Sequence, residues 1–151
     1  MSSARIIASW FGVGFLPWAP GSWGSLAALP FAWGIVLVGG KLWLLAAVVA
    51  LFVIGCIAAE LGTRDRAARD PGWVVIDEVV GQGLVLLVLP LDLAAYGIGF
   101  LMFRLFDIWK PWPVRWAERR FDGGFGIMID DVVAALYAAT VIVAGRIALE
   151  R

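Results

Sequence analysis

The chain has no histidine and only one cysteine among its 151 residues. Without an imidazole, phosphohistidine chemistry, a histidine general base and histidine-ligated zinc are all excluded. Cys56 can form no intrachain disulfide, and within the apolar run "FVIGCIAAE" it reads as a packed core thiol. No arginine follows it at phosphatase-loop spacing, and no D-x-D pair is present for an aspartyl-phosphate route. The glycine-bearing stretches do not match a Walker-type P-loop, so nucleotide binding is not indicated.

Charge is scarce as well. Charged residues make up 16% of the chain and hydrophobic residues 62%, with a mean hydropathy of +0.91. A water-soluble domain carries roughly a quarter charged residues, so this chain lacks the polar surface to cover a core and is expected to meet lipid. Twelve cations balance twelve anions, which gives no sign of a nucleic-acid partner. The N-terminus "MSSARIIASWFGVGF" runs into Pro17 and Pro20 without a small-x-small cleavage site and reads as part of the mature protein.

What the chain does have is a series of apolar segments: Trp23 to Val38, Leu42 to Ala59, Val74 to Leu89, Leu93 to Phe106 and Val132 to Leu149. None alternates with period two, so the expected fold is all-α. The expectation is one domain, residues 1–151, built as an integral membrane bundle of about five embedded helices, although several segments fall short of the roughly 20 residues that span a bilayer. If the segments cross alternately, the three long charged stretches fall on one face. That face holds Arg5, Arg64, Arg66, Arg69, Arg104, Lys110, Arg115, Arg119 and Arg120, against Lys41, Arg146 and Arg151 on the other. Nine against three predicts a cytoplasmic face for the long loops and an outer C-terminus.

Three acidic groups stand where helices meet that face: Asp77 and Glu78, Asp107, and Asp130 and Asp131. Carboxylates among Val, Ile, Met and Phe are costly to leave unpaired, so each needs a cation nearby. Taken singly, each is as well explained by a cap or an ion pair; Asp130 fits the N-cap of the last helix. Taken together, they would repel unless a divalent cation sat among them, and hard oxygen ligands suit Mg²⁺. Neighbours on a helix point about 100° apart, so one member of each adjacent pair is expected to face a shared metal. The favoured inner set is Glu78, Asp107 and Asp131, with Asp77 and Asp130 in support. Small residues Gly81, Ala134, Ala135 and Ala138 on the same faces allow close helix approach.

Arg104 lies one turn before Asp107 and Lys110 one turn after it, until Pro111 ends the helix. They either pair with Asp107 or supply the cations that a phosphate needs beside a metal. Trp109, Trp112 and Trp116 fit an aromatic belt at headgroup depth, with Arg115 a topology or headgroup charge. "LPWAPGSWGSL" sets Gly21, Ser22 and Ser25 at a helix start, open between a cap and a phosphate cradle. "FDGGFGIMIDD" is expected to begin as a flexible loop at Gly123, Gly124 and Gly126.

Four blocks, "LPWAPGSWGSLAALP", "DPGWVVIDEVVGQ", "FRLFDIWKPWPVRW" and "GGFGIMIDDVVAAL", resemble in order and spacing the signatures of the phosphatidylglycerophosphatase A family. The resemblance runs from about Gly14 to Ala138. It implies a Mg²⁺-dependent lipid phosphatase of the bacterial inner membrane, multi-pass, with its site on the cytoplasmic side. Its substrate would be phosphatidylglycerophosphate, converted to phosphatidylglycerol and inorganic phosphate. Carried over by motif, the implicated positions are Asp77, Glu78, Arg104, Asp107, Lys110, Asp130 and Asp131, with Gly21, Ser22 and Ser25 from the first block. Two other classes remain open: a small ion or proton transporter, disfavoured because the acids gather at one face, and a nonenzymatic lipid-binding protein.

Overall fold

The computed structural model describes residues 2–64 and 71–151. Arg66 and Arg69 of the charge tally, and Asp70 at the head of the second block, lie outside them. The described residues form helices and connections without strands: α1 (Ser3–Ala8), a 3-10 turn (Val13–Phe15), α2 (Pro20–Thr63), α3 (Ile76–Leu86), α4 (Leu93–Trp109), α5 (Val114–Arg120) and α6 (Gly123–Leu149).

The first two expected segments belong to α2, which is broken at Gly40, where φ is 74° and ψ is −173°. Only glycine holds such a conformation without strain. Gly21 in the first arm abuts Glu78, and Gly55 in the second abuts Ile76, so both arms return to the start of α3. Residues 20–39 and 41–63 are therefore the two arms of a helical hairpin.

The expectation of about five embedded helices is met in its helical architecture and only in part in its count. Among the described residues two helices, α2 and α6, are long and apolar enough to cross a membrane. At 11 residues α3 is far short of a span, and α4 has 17. The shortening of α3 has a cause: the Val75 N–H donates to the Ala8 carbonyl at 2.9 Å, which ties the residues before Ile76 to α1 instead of to a helical turn. Pro90 then limits the other end. Nine residues of α3 are buried, and it packs against α2, α4 and α6, so it forms the centre of the bundle. The outer faces of α2 and α6 instead expose Leu37, Val49, Val53, Ile57, Val141 and Ile147, an apolar surface suited to lipid.

The last helix also starts earlier than expected. The glycine run of "FDGGFG" is helical from Gly123, with Asp122 at the N-cap position, so Asp130 and Asp131 lie two turns inside α6 and Asp130 is no cap. Gly124 makes this possible. A side chain there would strike the Cys56 carbonyl, and its N–H donates to Glu60 Oε2 at 2.7 Å. Gly123 and Gly124 thus serve close packing on α2, and Gly126 makes room for the Phe121 carbonyl.

Candidate active site

Asp77 and Glu78 occupy the first turn of α3, and Asp131 faces them from α6. Gly81, one turn along α3, lets the helices close: a Cβ there would lie 3.1 Å from the Asp131 carbonyl and 2.6 Å from the Phe103 ring. Ala134, Ala135 and Ala138 of α6 are fully buried along the same contact. One carboxylate oxygen from each of Asp77, Glu78 and Asp131 lies within 4.8 Å of the others. Asp77 thus joins Glu78 and Asp131 in this group, and Asp107 adjoins it, its side chain within hydrogen-bond reach of Asp131. Glu78 has one methylene more than Asp77, which lets the two oxygens meet despite their angular offset.

Asp107, on the last turns of α4, accepts a hydrogen bond from Arg104 Nη1. The same nitrogen lies 3.9 Å from Glu78 Oε1, so Arg104 bridges Asp107 and Glu78, while Asp107 also meets Asp131. Lys110 does not share their face. It caps α4 in the left-handed region, with φ at 49°, and Pro111 follows. Its ammonium therefore turns away to Asp130 Oδ2 at 2.9 Å and Glu118 Oε1 at 2.7 Å. Burial works to lower the Lys110 pKa, but the Asp130 charge and the hydrogen bonds to Asp130 and Glu118 outweigh it and hold it above the ordinary lysine value. Lys110 is thus cationic at neutral pH. Asp130 also accepts the Asp131 N–H through Oδ1 at 3.0 Å.

The first block arrives at the same place. A Cβ on Gly21 would overlap the Glu78 carboxylate and lie 3.2 Å from Arg104 Nη1, so the start of α2 fits against the acids only because residue 21 has no side chain. Neither serine is the cap: Ala19 holds that position without a side-chain bond. Ser22 is half-buried, while Ser25 is fully buried and its hydroxyl has no hydrogen-bond partner among the described residues.

Gln82 was not among the expected site residues. It is fully buried one turn past Glu78, and neither atom of its amide finds a partner among the described residues. A glutamine in an otherwise apolar helix interior was the available signal. Glu78 Oε2 and Asp131 Oδ2 are likewise buried and accept no hydrogen bond among those residues. Three hard carboxylate oxygens close together, two side chains retaining unsatisfied acceptors, fit a divalent cation such as Mg²⁺. Arg104 and Lys110 at the margin fit an anion beside it.

Comparison with known proteins points to phosphate chemistry. The family model described as PgpA, phosphatidylglycerophosphatase A, matches residues 6–146. The chain belongs to the phosphatidylglycerophosphatase A family. A family member of that name from Escherichia coli is 38% identical over 139 residues, covering 91% of this chain and 80% of the relative. Another, from Haemophilus influenzae, is 39% identical over 148 residues, covering 95% and 89%. A Bacteroides thetaiotaomicron relative, 38% identical over 93% of this chain and 92% of its own length, is named as a candidate phosphatidylinositol-3-phosphatase. No solved structure matches the chain. The family match takes in all the candidate residues, from Gly21 to Asp131.

Proposed function

We propose that the chain hydrolyses the terminal phosphomonoester of phosphatidylglycerophosphate, releasing phosphatidylglycerol and inorganic phosphate, at the Asp77, Glu78 and Asp131 cluster. The observation that carries this reading is the convergence of the three carboxylates within 4.8 Å beside Arg104 and Lys110. Asp77, Glu78 and Asp131 would hold Mg²⁺, with Asp107 and Asp130 in support. When bound, the ion supplies Lewis-acid polarisation of the phosphoryl group and favours deprotonation of water.

The chain's own groups do the rest. Arg104 and Lys110 are the cations available to the phosphoryl oxygens, where charge builds during transfer. Asp107 and Asp130 hold those cations in place through their ion pairs, so their role is positioning. Gly21 lets the start of α2 pack directly against the Glu78 carboxylate. In the balanced reaction, a water oxygen bonds to phosphorus, the bond from phosphorus to the glycerol oxygen breaks, and the departing oxygen takes a proton.

The exposed apolar faces of α2 and α6 support embedding in a bilayer, with the five apolar segments packed as one bundle. Lys41 beside the Gly40 break, and Arg146 donating to the Val88 carbonyl at 3.2 Å, lie away from the cluster. The excess of Arg and Lys near the acids supports a site on the cytoplasmic side of a bacterial inner membrane. The test is phosphate release from phosphatidylglycerophosphate by purified protein. Release is expected with Mg²⁺ and lost with chelator; none in either condition, while a control phosphatase works, would sink the reading.

A further inference from the structure

Beside the cluster lies a cleft of about 600 Å³, bordered by Trp109, Lys110, Trp112, Arg115, Trp116 and Arg119. Lys110 belongs to both places, through Asp130 on one side and the cleft wall on the other. Arg119 also borders a smaller cavity of about 210 Å³ that reaches Asp130. The cleft thus adjoins Asp130, the chain neighbour of Asp131 in the cluster. The three indoles are 61%, 78% and 53% exposed, too much apolar surface at one mouth to be left to water.

The cations of the cleft differ in what they already hold. Lys110 is committed to Asp130 and Glu118. Arg115 makes one long hydrogen bond, to the Trp109 carbonyl at 3.5 Å, and neither Arg115 nor Arg119 forms an ion pair among the described residues. Two uncommitted guanidinium groups framed by exposed indoles suit an anion carried at the depth where tryptophans lie in a bilayer. Arginine binds phosphate oxygens in a two-pronged fashion, which a carbonyl contact does not satisfy.

We infer that Arg115 and Arg119 bind the phosphodiester of the lipid substrate while its terminal monoester occupies the carboxylate cluster, and that this second anchor sets substrate choice. The inference rests on the proposed function. The two phosphates of that substrate are joined by one glycerol, and Lys110 stands where the two sites meet. The acyl chains then leave past Trp109, Trp112 and Trp116. A monoester with no diester behind it would engage only half of the site.

The test is the double variant Arg115→Gln/Arg119→Gln, assayed with phosphatidylglycerophosphate in neutral detergent micelles, which removes attraction to an anionic bilayer as a cause. The expected result is a KM raised on the order of tenfold or more, the scale of a lost charged hydrogen bond, with the effect on KM and not on kcat. Inhibition by inorganic phosphate, which reports the cluster, should keep its strength. Inhibition by short-chain phosphatidylglycerol, which has the diester alone, should weaken with KM. Arg115→Lys/Arg119→Lys should recover part of the loss. An unchanged KM, equal weakening of both inhibitors, or a fall in kcat alone would overturn the docking role. Wild-type protein that releases no phosphate would instead refute the function itself.

Discussion

Replacing Asp131 by Asn should make the protein more stable and stop it responding to Mg²⁺. Asp131 is 3% exposed and shares a space 4.8 Å across with Asp77 and Glu78. At an alkaline pH that ionises both, two carboxylates at that separation repel by about 3.5 kcal/mol at an effective dielectric constant of 20. The substitution would remove Asp131's part in that repulsion and keep nearly the same shape. Allowing roughly 1–2 kcal/mol for the imperfect pairing of the new amide leaves a net gain of about 2 kcal/mol. For a chain of this length each kcal/mol moves Tm by roughly 2–4 °C, so the Mg²⁺-free variant should melt about 4–8 °C above the parent.

The parent should make up that difference when Mg²⁺ is added. A ligand at a hundred times its Kd stabilises by about 2.7 kcal/mol, or roughly 5–10 °C here, while Asp131→Asn should gain almost nothing. The assay is thermal unfolding in detergent, followed by tryptophan fluorescence, across a Mg²⁺ titration with Ca²⁺-free and chelated controls. A variant that melts lower than the parent without Mg²⁺, or that keeps the parent's Mg²⁺ shift, would refute the idea that these carboxylates are held together against repulsion for a cation. Such stability in exchange for lost function is the usual signature of a strained site.

Other substitutions probe the surroundings. Gly21→Ala should push Glu78 out of the cluster and reduce phosphate release on the order of a hundredfold, with Tm nearly unchanged, because the clash is with a carboxylate of the site. Lys110→Met removes the ammonium from Asp130 and Glu118 and should cost about 2 kcal/mol by denaturant or heat, the scale of a charged hydrogen bond. Lys110→Met/Asp130→Asn should recover most of that stability without recovering turnover, whereas recovery of both would show that the pair is structural only. Glu60→Ala removes the acceptor for the Gly124 N–H and should lower stability by about 1 kcal/mol, with KM and kcat within about twofold of the parent. Gln82→Leu should raise Tm by a few degrees, since a buried amide with no protein partner costs about 1–3 kcal/mol; a lower Tm would mean that the amide is satisfied in solution.

Much of the site could be read along the chain because each acid lies in a local pattern that names its helix turn. Asp77 and Glu78 follow "GWVVI", and Arg104 lies one turn from Asp107 within one helix, so their pairing needs only helical geometry. Lys110 was harder. The same spacing put it on the Asp107 face, but its left-handed cap before Pro111 sent it to Asp130, 20 residues on. The glycines of "FDGGFG" looked like a loop for want of helix formers. They proved helical because Cys56 and Glu60 on α2 supply what the local sequence does not: a surface that excludes side chains and an acceptor for the Gly124 N–H.

The sequence by itself determined the class of the protein: apolar segments without alternation, charge gathered in the long connections, and the residue types of a phosphate site without histidine or a reactive cysteine. It also determined the inventory of acids and cations, since these are rare enough in this chain for each to stand out. Only the tertiary structure decided which of them meet. That Asp77 joins Glu78 and Asp131, and whether Gly21 caps a helix or clears space for a carboxylate, depends on how α2, α3 and α6 approach one another. That approach is a property of packing between segments far apart in the chain, and the periodicity within any one segment carries no record of it.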